Sequence, residues 1–316
     1  MLDGTLGAAI ASAYGLGGPA TLTGPVARGQ QGLVWRLETP RGAFAVKDPL
    51  TPLDAGEAAA DAAFQDVALA AGVPLPRVVR DVADNVLAEV EGHQVRVYEW
   101  IDVHAPDRGL DPDEVGRVVA LVHGVHVPTV EPMHPWYTTP VGLAAWQDLA
   151  GRLMAAGAAF AAELTALVPN LHALESLLGP RRSEQWCHND LWSDNVLSRR
   201  PADSGIAVLD WENAGPGLPV QELALVLYDF GQGDPARARA LHAAYLAGGG
   251  PARLTGPDDF AVVAAQLGHI VQMGCEGWLA ADTDAGRTHH EAWVREYLDD
   301  PLTESRIDAI LSAVRG

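Results

Sequence analysis

Two kinds of hydrophobic pattern divide this sequence of 316 residues. From Asp111 onward, most apolar stretches have helical spacing. Before that point short strand-like runs prevail, namely Gly32–Thr39, Ala43–Lys47, Asn85–Val90 and Gln94–Ile101. Because strands and helices occupy separate parts of the chain, the sequence predicts an α+β fold with a small sheet and a large helical part.

The same change of pattern gives a domain boundary. A chain of this length suits two domains of ordinary size. The charged segment Asp102–Leu110 lies between the last strand-like run and the first residues of helical spacing. We therefore expect an N-terminal lobe over residues 1–101 and a C-terminal helical lobe over residues 102–316.

Composition argues against several classes of partner. Asp and Glu number 41 against 21 Lys and Arg, and the net charge of −20 argues against nucleic-acid binding. The N-terminus has no basic leader, and polar residues interrupt the apolar stretches, so we expect neither a signal peptide nor membrane association. Only Cys187 and Cys275 are present, too few for a disulfide framework. We expect a cytoplasmic protein with no obligate protein partner.

Lys47 is the single lysine among 21 basic residues. It ends a strand-like run that follows Gly32–Thr39 across a short turn, so the two runs predict a β-hairpin. A position that keeps lysine where arginine prevails suggests a need for a compact ammonium. Just before the hairpin, Gly29 and Gly32 allow backbone amides to approach an anion. We predict that Lys47 and this glycine loop bind phosphate.

A helix follows the hairpin. Asp54 is suited to its N-cap, Glu57 stands three residues later, and alanine-rich helical sequence continues to Gly72. Glu57 has two candidate roles, as the capping-box partner or as the carboxylate that orients Lys47. Asp61, one turn further along, is the alternative partner for Lys47.

A dense polar segment interrupts the helical part of the chain. It comprises Trp186–Leu197 and Ile206–Asn213, and it predicts a short strand, a loop, and a hairpin that ends at Asp210. Such a hairpin would bring Asp190, Asn195 and Asp210 to one end, which combines a proton acceptor with two oxygen ligands for Mg²⁺. Together with a cation for the phosphates, this is the set of groups that phosphoryl transfer requires.

The run His-Asn-Asp-Leu-Trp-Ser-Asp-Asn, residues 188–195, resembles the catalytic loop of the aminoglycoside phosphotransferase family, relatives of the protein kinases. The resemblance implies a bilobal kinase-like fold whose N-terminal lobe binds ATP and whose C-terminal lobe holds the acceptor. It implies that Asp190 is the catalytic base, that Asn195 and Asp210 bind Mg²⁺, and that Lys47 contacts phosphate.

We further expect the end of the last N-terminal strand, residues Glu99, Trp100 and Ile101, to contact the nucleotide. Two positions depart from the family pattern. Asn189 replaces the usual glycine before the catalytic Asp, and Glu222 stands where an Asp more often braces the loop. Both departures suggest a branch distinct from the well-known antibiotic-resistance enzymes.

The candidate acceptor wall is acidic and aromatic. Carboxylates and ring faces suit an ammonium-bearing sugar, so we predict phosphorylation of an amino sugar or aminoglycoside-like cation. A kinase for choline or another small alcohol, and a nucleotide-binding regulator without turnover, are the alternatives. The short connection from Asp210 to Val220 favours a small acceptor over a protein. The predicted wall residues are Trp192, Asp194, Glu212, Glu276 and Trp278.

Overall fold

The computed structural model describes residues 2–29, 32–201 and 205–315. In chain order its elements are α1 (Gly7–Ala13), β1 (Thr21–Arg28), β2 (Gly32–Thr39), β3 (Gly42–Pro49), α2 (Ala55–Ala70), β4 (Val78–Val79), β5 (Leu87–Val90), β6 (His93–Glu99), α3 (Pro112–Gly124), α4 (Leu143–Ala156), α5 (Ala161–Leu174), β7 (Gln185–Cys187), β8 (Val196–Ser198), β9 (Ile206–Val208), β10 (Gly215–Gly217), α6 (Pro219–Gly231), α7 (Pro235–Ala247), α8 (Ala261–Ala280), α9 (Asp284–Asp299) and α10 (Glu304–Arg315). This is the predicted α+β arrangement, with strands concentrated early and helices late.

The chain forms two compact units. The first combines the residues up to Asp107 with Ser193–Ala214, and the second combines Arg108–Trp192 with the residues from Gly215 onward. The segment that carries Asn195 and Asp210 therefore groups with the N-terminal residues, whereas the linear boundary at residue 101 leaves it in the other lobe.

The first unit is built on an antiparallel sheet with the order β1-β2-β3-β6-β4, and β5 pairs with β6. Alternation along β3 buries Phe44 and Val46 on one face, where they join a core that includes Ile10 of α1. Ala45 and Lys47 lie on the other face, where Tyr98 of β6 packs with residues of α2. The period of two thus places Lys47 on the sheet face that α2 covers.

Helix α2 begins as predicted. The Asp54 carboxylate accepts hydrogen bonds from the backbone amides of Gly56 and Glu57 at 2.8 and 3.0 Å. After the helix ends, the Pro74 carbonyl accepts a hydrogen bond of 2.8 Å from the Val208 amide of β9. This bond ties the β8–β9 hairpin to the chain that follows α2 within the first unit.

The second unit holds α3 to α10 and a two-stranded pairing of β7 with β10. Two details differ from the sequence prediction. The helical stretch over residues 141–179 is divided into α4 and α5, because Gly157 adopts a left-handed conformation with φ of 74°. Helix α1 and strand β1 were not predicted. Within the described ranges, no helix has the length and apolarity needed to cross a membrane.

Close packing of α3 against α7 gives the first testable prediction. A Cβ added at Gly116 of α3 would lie 2.3 Å from the Leu241 carbonyl oxygen of α7. We expect Gly116→Ala to lower the free energy of unfolding by about 1–3 kcal/mol, as overpacking does. The matched control is Gly151→Ala in α4, where a Cβ meets no atom within 4 Å.

At that control position we expect a gain of up to about 1 kcal/mol from helix propensity. Thermal melting of both variants beside the wild type measures the effect. A Gly116→Ala protein that melts at or above the wild-type temperature would contradict the close approach of the two helices.

Candidate active site

Lys47 lies between two carboxylates of the first unit. Its Nζ is 2.7 Å from Asp210 Oδ1 and 3.1 Å from Glu212 Oε1. Burial disfavours the charged ammonium, but the negative charges of Asp210 and Glu212 outweigh it and raise the pKa of Lys47 above its ordinary value. The single lysine is therefore held as a fixed cation.

Trp211 explains how two residues so close in sequence both reach Lys47. Its buried ring packs against Phe64 of α2, with centroids 5.7 Å apart, and its Nε1 donates to the Val208 carbonyl at 3.0 Å. Asp210 adopts a left-handed conformation with φ of 57° just before it. With Trp211 anchored against α2, its neighbours on both sides contact the lysine.

A second cation, Arg96, contacts both Asp61 and Glu212. The Arg96 side chain, only 2% exposed, donates to both carboxylate oxygens of Asp61 at 2.6 and 3.1 Å. Its NH1 also lies 3.7 Å from Glu212 Oε1, and the Tyr98 hydroxyl donates to that oxygen at 2.9 Å. Glu212 thus contacts cations on two sides and a hydroxyl donor on a third.

The two carboxylates that the sequence offers as partners for Lys47 are placed elsewhere. Asp61 pairs with Arg96, and burial raises the pKa of Asp61 although the guanidinium opposes that shift. Glu57 is exposed, and its backbone amide is capped by Asp54. Neither forms an ion pair with Lys47 among the described residues.

Glu212 also differs from its predicted place. The sequence puts it in the acceptor wall, whereas in the structure its side chain is 11% exposed and contacts Lys47, Arg96 and Tyr98. Sequence reasoning could not find this role, because the partners of Glu212 lie more than a hundred residues earlier in the chain.

Asn195 and Asp210 occupy the same end of the β8–β9 hairpin. The Leu209 amide donates to the Asn195 carbonyl at 2.8 Å, and the Asp210 side chain is 41% exposed. One carboxylate and one amide oxygen are donors that Mg²⁺ accepts when phosphate oxygens complete its shell. This pair of donors fits a Mg²⁺ ion that is shared with a phosphate ligand. Among the described residues, no group of three or more His, Cys, Asp or Glu is placed to hold a metal ion.

The glycine loop connects β1 to β2. The Gly29 amide donates to the Gly32 carbonyl at 2.9 Å. A Cβ at Gly32 would lie 2.9 Å from the Asp48 carbonyl oxygen, so a larger residue requires the backbone to shift. Residues 30 and 31, which complete the predicted loop, lie outside the described residues.

Of the three residues predicted to contact the nucleotide, two have backbone amides that are already hydrogen-bonded within the protein. The Glu99 amide donates to the Arg77 carbonyl at 2.9 Å, and the Trp100 amide donates to the Ala43 carbonyl at 3.1 Å. The Ile101 amide forms no hydrogen bond with a described residue, and Ile101 is half-buried. Ile101 is therefore the residue of the three whose amide remains for a ligand. The Trp100 ring instead lies 5.0 Å from the Arg36 guanidinium.

In the second unit, Asp190 is half-buried and follows a tightly held residue. Asn189 has a φ of 64°, its Nδ2 donates to the Gly215 carbonyl at 3.2 Å, and its carbonyl accepts from Gln266 Nε2 at 2.8 Å. Glycine tolerates a positive φ best and asparagine is the next most common choice, which accounts for the departure from the family pattern.

Glu222 belongs to a buried polar network. Its Oε2 lies 3.0 Å from His123 Nε2, and His123 Nδ1 lies 3.0 Å from the Tyr245 hydroxyl. A neutral imidazole with its proton on Nε2 satisfies both contacts. The His123 carbonyl accepts a hydrogen bond of 3.2 Å from Gln185 of β7. The network thus joins α3 and α6 to the strand that leads into the Asp190 loop.

Two aromatic residues near this loop were missed by sequence reasoning. Burial raises the pKa of the Tyr137 phenol, and the negative charges of Asp190 and Glu222 raise it further. The adjacent Trp136 stacks on His269 of α8 with ring centroids 4.7 Å apart. Nothing in the sequence marks this pairing, because the two residues are far apart in the chain.

The remaining residues predicted for the acceptor wall differ in exposure and packing. Asp194 and Glu276 are exposed, and Trp192 is half-buried with its edge toward Tyr228. Trp278 packs edge-on against Phe160 and is 9% exposed, so it serves the core of the second unit.

This chain is similar to a family model and to several solved structures. A model described as the phosphotransferase enzyme family matches residues 23–256. A search of curated proteins found no match. Among solved structures, the microcompartment-associated aminopropanol kinase is 18% identical with a TM-score of 0.62, and the alignment covers 98% of this chain and 99% of that one.

Two further similar structures are complexes with a nucleotide. Spectinomycin phosphotransferase in complex with ADP and spectinomycin is 11% identical with a TM-score of 0.60, covering 93% of each chain. Amicoumacin kinase in complex with AMP-PNP and Ca²⁺ is 12% identical with a TM-score of 0.55, covering 87% of each chain. At these identities the likeness establishes the fold, and it confirms the predicted kinase-like α+β architecture.

The conformation of Asn189 gives a testable prediction. Asn189→Gly and Asn189→Ala both remove the side-chain amide, so their difference isolates the positive φ. We expect the Ala variant to be less stable than the Gly variant by about 1–2 kcal/mol, the cost of a Cβ in the left-handed region. Chemical denaturation measures the difference. Elsewhere Ala usually stabilises relative to Gly, so an Ala variant of equal or greater stability would contradict the assigned backbone conformation.

Proposed function

This chain belongs to the phosphotransferase enzyme family, and from that premise we propose that it is a Mg²⁺-dependent kinase that transfers the γ-phosphoryl group of ATP to a hydroxyl of a small molecule. The observation that carries the proposal is the convergence of the single lysine, Lys47, on Asp210 at 2.7 Å. A phosphate-binding cation and a metal-binding carboxylate within contact distance are what a nucleotide triphosphate site needs.

The nucleotide belongs to the first unit in this proposal. Lys47 binds phosphate oxygens, Gly29 and Gly32 allow the chain before β2 to approach them closely, and the Ile101 amide donates to the base. The ADP and AMP-PNP complexes of the similar structures support ATP as the nucleotide. Asn195 and Asp210 hold the metal, which when bound neutralises charge on the phosphate oxygens.

Asp190 of the second unit is the catalytic base. Its carboxylate accepts the proton of the acceptor hydroxyl while that oxygen bonds to the γ-phosphorus and the bond to the bridging oxygen of ADP breaks. The products are ADP and a phosphate monoester. The hydrogen bonds of Asn189 to Gly215 and Gln266 fix the backbone from which Asp190 projects.

We propose a cationic acceptor bound by the second unit. The half-buried Trp136 and His269 rings, together with the exposed Glu276 on the same helix as His269, support this class, since ring faces and carboxylates bind ammonium groups. His269 Nε2 lies 2.9 Å from the Thr139 carbonyl, so it carries a proton and leaves Nδ1 as an acceptor in the neutral ring. The structurally similar aminopropanol kinase is named for an acceptor with both an amine and a hydroxyl.

A coupled assay of ADP release tests the proposal. The panel comprises aminoglycosides, amino sugars, amino alcohols and choline, with uncharged sugars of similar size as controls. We expect acceptor-dependent ADP release with at least one amine and none without acceptor. Nucleotide binding in calorimetry with no turnover on any acceptor would favour a nucleotide-binding regulator instead.

Replacing the base is the first prediction from this mechanism. We expect Asp190→Asn to leave ATP affinity unchanged and to lower kcat by about 10²- to 10⁴-fold, the range for loss of a general base. Single-turnover kinetics and nucleotide titration measure the two quantities separately. An Asp190→Asn enzyme with full turnover, or one whose only defect is weaker nucleotide binding, would contradict the role.

The metal ligands give a second prediction. Asp210 supplies charge as well as an oxygen, whereas Asn195 supplies a neutral oxygen only. We expect Asp210→Asn to abolish Mg²⁺-nucleotide turnover and Asn195→Ala to raise the Mg²⁺ concentration needed, with partial rescue at high Mg²⁺. Activity measured across a Mg²⁺ titration distinguishes the variants. Equal losses that Mg²⁺ does not rescue would show that the division between the two ligands is wrong.

A further inference from the structure

We propose that Glu212 is the residue that positions Lys47 for the nucleotide, in place of a carboxylate from helix α2. This inference rests on the proposed function, because it takes Lys47 as the phosphate-binding cation. In this inference Glu212 contacts neither the acceptor nor the metal ion.

Asp61 and Glu57 are the two carboxylates of α2 that the sequence offers to Lys47. Asp61 lies against the sheet that carries Lys47. Its carboxylate, however, accepts hydrogen bonds from both terminal guanidinium nitrogens of Arg96, at 2.6 and 3.1 Å. Glu57 is exposed at the start of α2. Neither carboxylate forms an ion pair with Lys47 within the described part of the chain, and the contacts at 2.7 and 3.1 Å come from Asp210 and Glu212.

Asp210 and Glu212 differ in what else they can bind. A carboxylate that binds Mg²⁺ shares its negative charge with the ion, which weakens its hold on a neighbouring ammonium. Asp210 is the more exposed of the two side chains, at 41% against 11%, and it lies at the hairpin end with Asn195. Glu212 is therefore the partner that can keep Lys47 in place when Asp210 serves a cation.

Glu212 is itself held in place by its neighbours. The Tyr98 hydroxyl donates to its Oε1 at 2.9 Å, and Arg96 NH1 lies 3.7 Å from the same oxygen. The preceding Trp211 is anchored against Phe64 of α2. A side chain with this many fixed neighbours can hold the flexible side chain of a lysine in a defined position.

The charges of the network agree with this division. Lys47 and Arg96 contribute two positive charges, and Asp61, Asp210 and Glu212 contribute three negative ones. Asp61 and Glu212 are 8% and 11% exposed and contact the buried cations. The excess negative charge is thus most accessible at Asp210, where a metal ion would balance it, and Glu212 remains committed to Lys47 and Arg96.

A double-mutant cycle tests the inference. The variants are Glu212→Gln, Lys47→Ala and the combination. The measured quantity is the dissociation constant of ADP at saturating Mg²⁺, where Asp210 serves the metal ion. We expect Glu212→Gln to weaken ADP binding by about 10-fold, and to change it less than about twofold when Lys47 is already Ala, because groups that act through one another are not additive.

Three further variants sharpen the test. Glu57→Gln is the matched control, and we expect wild-type ADP binding because Glu57 is exposed and forms no ion pair with Lys47 or Arg96 among the described residues. Glu212→Asp keeps the charge, and we expect it to recover part of the loss. Tyr98→Phe removes only the hydroxyl that donates to Glu212, and we expect a loss of about threefold, as for one hydrogen bond. If Glu212→Gln fails to fold, Tyr98→Phe carries the same test.

The outcomes separate this inference from the proposed function. Equal loss from Glu212→Gln in both backgrounds would overturn the positioning role, and so would a loss that high Mg²⁺ rescues, which would identify a metal ligand. Absence of nucleotide binding in the wild-type protein would overturn the proposed function and this inference together. In the intact enzyme we expect Glu212→Gln to raise the KM for ATP as well as lower kcat, with the acceptor KM unchanged.

Discussion

The first unit depends on the ion pairs between Lys47 and the carboxylates of Asp210 and Glu212. They join strand β3 to a segment that lies 163 residues later in the chain. Burying most of an ammonium group is costly unless it is paired, so the later segment stabilises this cation. The Pro74 to Val208 hydrogen bond and the packing of Trp211 hold that segment in place. Folding of the sheet and assembly of the candidate site are therefore linked.

Residues that act through local patterns were predictable from the sequence. The Asp54 cap, the hairpin that ends in Lys47, and the short strands around the Asp190 segment all follow from nearest-neighbour preferences or a motif of fixed spacing. Contacts that depend on distant residues were not predictable. The pairing of Arg96 with Asp61, which leaves α2 without a carboxylate for Lys47, is set by the register of β6 against β3.

The same limit applies to the acceptor side of the protein. Glu276 was predictable as an exposed carboxylate on a helix, whereas the stacking of Trp136 on His269 arises from tertiary packing. Trp278 was predicted to line the acceptor site, but it is buried. A tryptophan on an amphipathic helix packs in the core more often than it binds a ligand. The two departures from the family motif have physical explanations: Asn189 tolerates the positive φ, and Glu222 Oε2 pairs with His123.

The central claim is that the cation held by Asp210 and Glu212 is the phosphate-binding group of an ATP site. Because Lys47 is the only lysine, amine-reactive labelling followed by mass spectrometry reports on it alone, with the N-terminal amine as an internal reference. At a Mg²⁺-AMP-PNP concentration about ten times the dissociation constant, the account predicts that labelling of Lys47 slows about 10-fold, since only the free fraction reacts. The N-terminal amine should react at an unchanged rate. Equal labelling of Lys47 with and without nucleotide, while calorimetry shows the nucleotide bound, would contradict the account.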